Sequence, residues 1–172
     1  TFHTYAEDLN ADNEEQFFTL MDGITRQLQA SFLQPDLDFY VVYISASGIG
    51  YCSLPVPEDY DYMDPRQKVW NRQVVAAEGA IVDVGSYQDR ALGIASFSAA
   101  RSILDDQGEL VGFLMINADE RQLYRMYADV IRAGSNIYVT NSAGQIISSN
   151  RSELIGFSYF NMKNLEQLFG GQ

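Results

Sequence analysis

Two stretches of this chain carry one pattern, ninety-six residues apart when Gly48 is set on Gly144. "YVVYISASGIGYCS" (40–53) and "NIYVTNSAGQIISS" (136–149) each give an aromatic and β-branched run, a Ser/Ala turn, a glycine and a second short run. Each reads as strand, turn, strand. A chain that writes the same hairpin twice commits its sheets to local antiparallel pairing, because parallel neighbours need a long crossover between them. The repeat therefore predicts two related modules within 172 residues.

The intervening segments fit that plan. Residues 14–33 predict a helix, since Phe17, Met21, Ile24, Leu28 and Phe32 recur at steps of three and four, with Pro35 and Asp36 ending it. Residues 38–54 hold the first hairpin, and 55–64 a loop rich in acids, tyrosine and proline. In "DPRQKVWNRQVVA" (64–76), Asp64 suits an N-cap, Pro65 the first helical position and Gln67 the capping-box spacing. Val69, Trp70, Val74 and Ala77 share a face of that helix, and Gly79 stops it. A short strand at 80–84, a polar turn "GSYQDRA", and one strand or two with a bend over 92–104 come next. "DDQG" (105–108) is a hairpin turn into a strand over 109–117, whose continuous apolar run predicts burial on both faces. Residues 119–134 predict a helix with Leu123, Tyr127, Val130 and Ile131 on its apolar face and Gly134 as its stop. A last helix begins near residue 160. Helix, hairpin, helix and then strands is an α+β order.

Composition narrows the function. The chain is 47% hydrophobic and 20% charged, enough for a real core. A formal charge of −12 repels phosphate backbones and anionic lipid, so nucleic acid is not an expected partner. The single cysteine, Cys52, rules out an intrachain disulfide and reads as a small packed residue. The one histidine, His3, leaves no Cys/His metal set and no base for a serine nucleophile. No phosphate-binding glycine loop is present, so no cofactor is expected. Glu58, Asp59, Asp61 and Asp64 read as a solvated acidic loop rather than a calcium site. Catalysis is not expected. No apolar run is long enough to span a membrane, and the opening "TFHTYAEDLN" reads as part of a longer protein.

The stretch 64–76 carries the one tryptophan, Trp70, among Arg66, Lys68 and Arg72. From the residues alone Trp70 is equally a core anchor and a pocket wall. Arg66, directly after Asp-Pro, suits an ion pair with Asp61 or Asp64. This block resembles the Asp-Pro-Arg…Trp segment of the double Cache (dCache) sensor domain. The following "VGSYQDRALGIASFSAARSILDDQGELVGFLMINAD" and "NIYVTNSAGQIISSNRSELIGFSY" resemble the family's next segments, and "FNMKNLEQLF" is most similar to Gram-positive sensor histidine kinases.

The resemblance implies a PAS-like antiparallel sheet with a long N-terminal helix (1–37), a membrane-distal module (38–118), a connecting helix (119–135) and a partial membrane-proximal module (136–172). It implies an extracytoplasmic ligand-sensing domain of a transmembrane receptor, anchored by helices outside this sequence. The family's pocket arginine falls on Lys68, its tryptophan on Trp70, the next tyrosine on Asn71, a later aromatic on Tyr87, and its acid near Asn117 or Asp119. Walls from Tyr62, Trp70 and Tyr87 with polar groups from Lys68, Asn71, Asp89 and Asp119 would take a small polar ligand: an amino acid, an amine or a carboxylate. Lysine lacks arginine's bidentate fork, and asparagine removes an aromatic wall, so the family's usual cargo is not fixed by the pattern. The alternative is a ligand-free transmission module that forms a homodimer through the N-terminal helix stripe.

Overall fold

The computed structural model describes residues 13–31, 39–57, 70–89 and 93–161. In chain order these form helix α1 (Glu14–Ser31), strands β1 (Phe39–Ser45) and β2 (Gly50–Cys52), and helix α2 (Asn71–Ala76). Strands β3 (Val82–Asp89), β4 (Ile94–Leu104) and β5 (Leu110–Asp119) follow. Then come helix α3 (Glu120–Tyr127), a 3-10 turn (Ala128–Val130), β6 (Tyr138–Thr140), β7 (Ile146–Ser149) and a second 3-10 turn (Ser152–Leu154). Among the described residues the strands make a five-stranded sheet in the order β2-β1-β5-β4-β3 and a two-stranded sheet of β6 and β7. The chain divides into two units, residues 1–84 with 99–117 and residues 85–98 with 118–172.

In the first unit the helical stripe of α1 lands on the sheet. Phe17 and Met21 are fully buried with Phe39, Val41, Tyr43, Tyr51, Ile103 and Val111. The Phe17 and Tyr43 rings lie 4.8 Å apart, and Phe18 and Tyr51 5.4 Å apart. The Tyr51 hydroxyl donates to Asp22 on α1. Every residue of β1 is buried. Since successive side chains point to opposite faces, Phe39, Val41 and Tyr43 meet α1, while Tyr40, Val42 and Ile44 face away from it. The apolar run of β5 is buried at Val111, Phe113 and Met115, while the alternating Leu114 and Ile116 are partly buried and pack against the α1 cluster. Gly112 is required there. A Cβ on it would stand 2.6 Å from the Tyr43 hydroxyl and 2.7 Å from the Ile44 carbonyl oxygen.

Three tight turns share one construction. At Ser45–Ile49 the fifth residue's N–H donates to the Ser45 Oγ at 2.8 Å; at Asp105–Glu109 it donates to Oδ1 at 2.7 Å; at Asn141–Gln145 it donates to Oδ1 at 2.9 Å. In each, the fourth residue is a glycine whose N–H donates to the first residue's carbonyl, at 3.0, 3.1 and 3.0 Å. Their positive φ values, +93°, +85° and +76°, favour glycine. A short side-chain acceptor followed three places later by glycine is enough to specify this turn.

In the second unit two expectations are corrected. The segment "GSYQD", read as a polar turn, is the second half of β3. Gly85 sits there at φ +79°, and a Cβ on it would overlap Gln145 Oε1. That oxygen accepts from the Ser86 N–H at 2.8 Å, and Gln145 Nε2 donates to the Gly156 carbonyl at 3.1 Å. A distant glutamine, not the local sequence, makes this stretch extended. The helix expected over 119–134 ends at Tyr127 and closes in a 3-10 turn. Its buried residues are Glu120 and Gln122, and Val130 is 68% exposed, so the apolar stripe predicted through Val130 does not form the packing face. The Ser148 Oγ donates to Glu120, and the Tyr127 hydroxyl bonds Ser148 at 2.6 Å. Those polar contacts set the face of α3 instead. The last expected helix falls, past residue 161, outside the described residues. Among the described residues no helix is long and apolar enough to cross a membrane.

Candidate functional site

The site builds from α2 and the sheet face turned away from α1. Val74 of α2 is fully buried, and its carbonyl accepts from the Ser102 hydroxyl of β4 at 3.2 Å. The same hydroxyl accepts from the Gly79 N–H at 3.0 Å. One serine thus ties both the helix and the turn that ends it to the sheet. This fixes Trp70 and Asn71 at the start of α2. The Trp70 ring meets Phe113 of β5 edge-on, with centroids 5.7 Å apart and planes at 72°. Such aromatic pairs add about 0.5–1.5 kcal/mol beyond area burial. Trp70 is only half-buried, so it both anchors the helix and keeps part of its indole accessible.

Asn71 is also half-buried, but its Nδ2 is shielded from solvent and has no hydrogen-bond partner among the described residues. A shielded amide donor without an acceptor costs about 1–3 kcal/mol. Alternation along β5 puts Met115 and Asn117 on the face of Phe113, both deeply buried. The described residues on this side of the first unit are thus a half-buried indole, buried apolar side chains and amides. Those groups can bind and orient a ligand; they supply neither a general base nor a nucleophile.

Asp119 has other work. It ends β5 and caps α3: its Oδ1 accepts from the Arg121 N–H at 2.8 Å, and the Arg121 guanidinium donates to Oδ2 from Nε at 2.9 Å. Burial alone would raise its pKa, but hydrogen bonds from the Arg121 side chain and backbone and the charges of Arg121 and Arg125 hold it below the ordinary carboxylate value. Tyr87 and Asp89 lie on β3, with their side chains outside the description. Asp119, Tyr87 and Asp89 fall in the second unit, and Trp70, Asn71 and Asn117 in the first. Tyr62, Arg66, Lys68 and the Asp64–Gln67 capping box lie outside the described residues. Sequence reasoning missed Phe113, Met115 and Ser102. The alternation of β4 and β5 could have assigned all three to this face. Among the described residues no group of three acidic, histidine or cysteine side chains is placed to hold a metal ion.

The architecture, an N-terminal helix and an antiparallel sheet in a mixed α+β chain, is that of the PAS-like ligand-binding domains of chemoreceptors. Three solved structures show the likeness. The ligand-binding domain of the Pseudomonas fluorescens chemoreceptor CtaA, in complex with L-serine, matches with a TM-score of 0.60 and 16% identity over 99% of this chain and 66% of that one. The domain of the Pseudomonas aeruginosa amino-acid chemoreceptor PctB, with L-Arg, gives 0.57 and 15% over 93% of this chain and 63% of that one. That of Campylobacter jejuni Tlp3, with L-norvaline, gives 0.57 and 17% over 97% and 66%. The chain therefore spans just under two thirds of these domains. No family model and no curated protein matches.

Proposed function

We propose that this chain is the extracytoplasmic ligand-sensing domain of a transmembrane signalling receptor, and that it binds a small polar molecule beside Trp70 and Asn71. The observation that carries the proposal is the shielded Asn71 Nδ2, a donor awaiting an acceptor, next to a half-buried indole. A ligand carboxylate or carbonyl oxygen would satisfy it. The chemoreceptor domains of the same fold, crystallised with amino acids, support the same class of cargo. Lys68, from the resemblance, would complete the charge, Tyr62 the wall and Asn117 the floor; Tyr87, Asp89 and Asp119 remain part of the wider proposal. The division into a distal module (38–118) and a proximal module from 136 onward belongs to it too. So does a histidine-kinase output, which rests on the similarity of "FNMKNLEQLF" to Gram-positive sensor kinases.

The mechanism is a population shift: ligand stabilises one arrangement of the distal module, and the receptor reads that preference across the membrane. The alternative, a ligand-free dimerisation module, would need α1's stripe to be free, and Phe17 and Met21 of that stripe are enclosed by the sheet of their own unit. The test is a thermal-shift panel of amino acids, amines, carboxylates and sugars. A ligand at 100 times its Kd should add about 2.7 kcal/mol of stability. No shift from any class would return the structural reading to first place.

A further inference from the structure

On the α1 side of the first unit's sheet lies a cavity of 310 Å³. That is within the range of about 300–1,000 Å³ typical of small-molecule sites. Its apolar wall is Met21 and Ile24 of α1, Ile103 and Leu104 of β4, and Leu114 of β5. Its charged groups are Arg101 and Glu78, both exposed. The two line the same cavity, yet neither joins an ion pair among the described residues. Ser102 also borders the cavity, but its hydroxyl is engaged by Val74 and Gly79.

Glu78 is held unusually. It is the one non-glycine residue with positive φ among the described residues, at +47°, followed by Gly79 at +84°. A helix end needs one left-handed residue, and Gly79 already supplies it. A second, with a Cβ, is disfavoured because that Cβ crowds the following carbonyl oxygen. The turn around it is fully bonded: the Glu78 N–H donates to Val75 at 3.1 Å, the Gly79 N–H to Ser102 at 3.0 Å, and the Ala80 N–H to Ala77 at 2.8 Å. The fold thus keeps an acid at this strained position, bordering a cavity that also holds a cation. Strain of this kind concentrates at ligand clamps.

We propose that this cavity is a second binding site, for a small zwitterion with an apolar body. Arg101 takes the carboxylate, Glu78 takes the ammonium, and the five apolar side chains take the body. The formal charge of the lining is zero, and its two charges form no ion pair with each other, so a ligand carrying both signs leaves neither unmatched. A ligand with one sign meets a repelling partner as well as an attracting one. The cavity lining includes none of Trp70, Asn71, Phe113 or Met115, and Arg101 and Ile103 alternate with Ser102 along β4. Because Met21 and Ile24 belong to α1, occupancy would tighten the hold of that helix on its sheet.

Methionine methyl NMR separates the two sites. The chain has five methionines; Met21 borders the cavity and Met115 lies on the other face. With the signals assigned by Met21→Leu and Met115→Leu, L-phenylalanine is the probe, against 3-phenylpropanoate and 2-phenylethylamine as its carboxylate-only and amine-only counterparts. The expected result is a saturable shift of the Met21 methyl with a Kd on the order of 1 mM or tighter. Both single-charge analogues should bind several-fold more weakly. Arg101→Gln and Glu78→Gln should each weaken the zwitterion by about three- to tenfold while the fold, followed by circular dichroism, is retained. The proposal is overturned if Met21 does not respond at about 10 mM, if all three probes bind equally, or if both substitutions leave the affinity unchanged. A Met115 response without a Met21 response would favour the Asn71 side and reject this one.

Discussion

The interiors of the two units are built from different materials. The first unit's fully enclosed side chains include Phe17, Met21, Val41, Tyr43, Val74 and Phe113. In the second unit, among the described residues, Ser148, Ser149, Ser96, Ser98, Glu120 and Gln122 are buried, with Ile146 and Ala118 as the apolar members. The first unit gains its stability from apolar area, which is non-directional and large. The second relies on directed bonds. A hydroxyl has one proton, so when Ser148 donates to Glu120, Tyr127 must donate to Ser148. A satisfied polar network fixes geometry well but adds only about 1 kcal/mol per bond, and it becomes costly when one member is removed. A shaped recess for a ligand needs rigid apolar walls, and those are in the first unit.

The largest effect that would break this comparison is expected at Phe17. Phe17→Ala should cost about 3–5 kcal/mol, read as a lower urea midpoint from Trp70 fluorescence. A loss below about 1 kcal/mol would mean that α1 does not complete the core. Next is Ser148→Ala, which leaves a buried carboxylate and a phenol without their shared partner. It should cost about 1–3 kcal/mol, concentrated in faster amide exchange over 137–149. Uniform exchange across both units would erase the distinction. The shared turn offers a finer comparison. Asp105→Ala and Asn141→Ala each delete an acceptor of two backbone N–H groups, at Gln107 and Glu109 and at Ala143 and Gln145. Each should cost about 1 kcal/mol, the first in one unit and the second in the other.

The pH response should separate the units most gently. In the first, burial pushes the Tyr43 hydroxyl far above its ordinary value; burial, followed by the hydrogen bond to Asp22, does the same for Tyr51. A raised folded-state pKa means stability that is complete below the ordinary tyrosine value of about 10 and lost as pH rises beyond it. In the second, the Asp119 carboxyl is held low. That contribution is complete above the ordinary aspartate value of about 3.9 and lost as pH falls below it. Asp119→Asn keeps a capping oxygen and should flatten the acid limb in α3 while leaving the alkaline limb intact. Amide exchange measured against pH would show it.

What the sequence disclosed follows the range of the causes. Ser45, Asp105 and Asn141 each stand three places before a glycine, and their turns were readable because the bonding closes within five residues. The stripe of α1 and the apolar runs of β1 and β5 were readable because burial imposes a period. Gly85 was not: its demand comes from Gln145, sixty residues on, so "GSYQD" looked like a turn. The end of α3 was not, because Ser148 decides which face is buried. Trp70 stood out as the single tryptophan, but its partner Phe113 comes from another strand. Arg101 carried a signal that was overlooked: it is the sole charge in "IASFSAARSIL", on a strand otherwise small and apolar. Glu78, beside a stop glycine, carried none.

The central claim is that the first unit binds a small polar ligand at Trp70 and Asn71. Trp70 is the only tryptophan in the chain, so its fluorescence reports on that face alone. A ligand found in the thermal-shift panel should change the emission of Trp70 saturably, and Asn71→Ala should weaken its affinity by about tenfold, the worth of a buried hydrogen bond. A ligand that binds with silent Trp70 emission, and equally well to Asn71→Ala, would contradict the account.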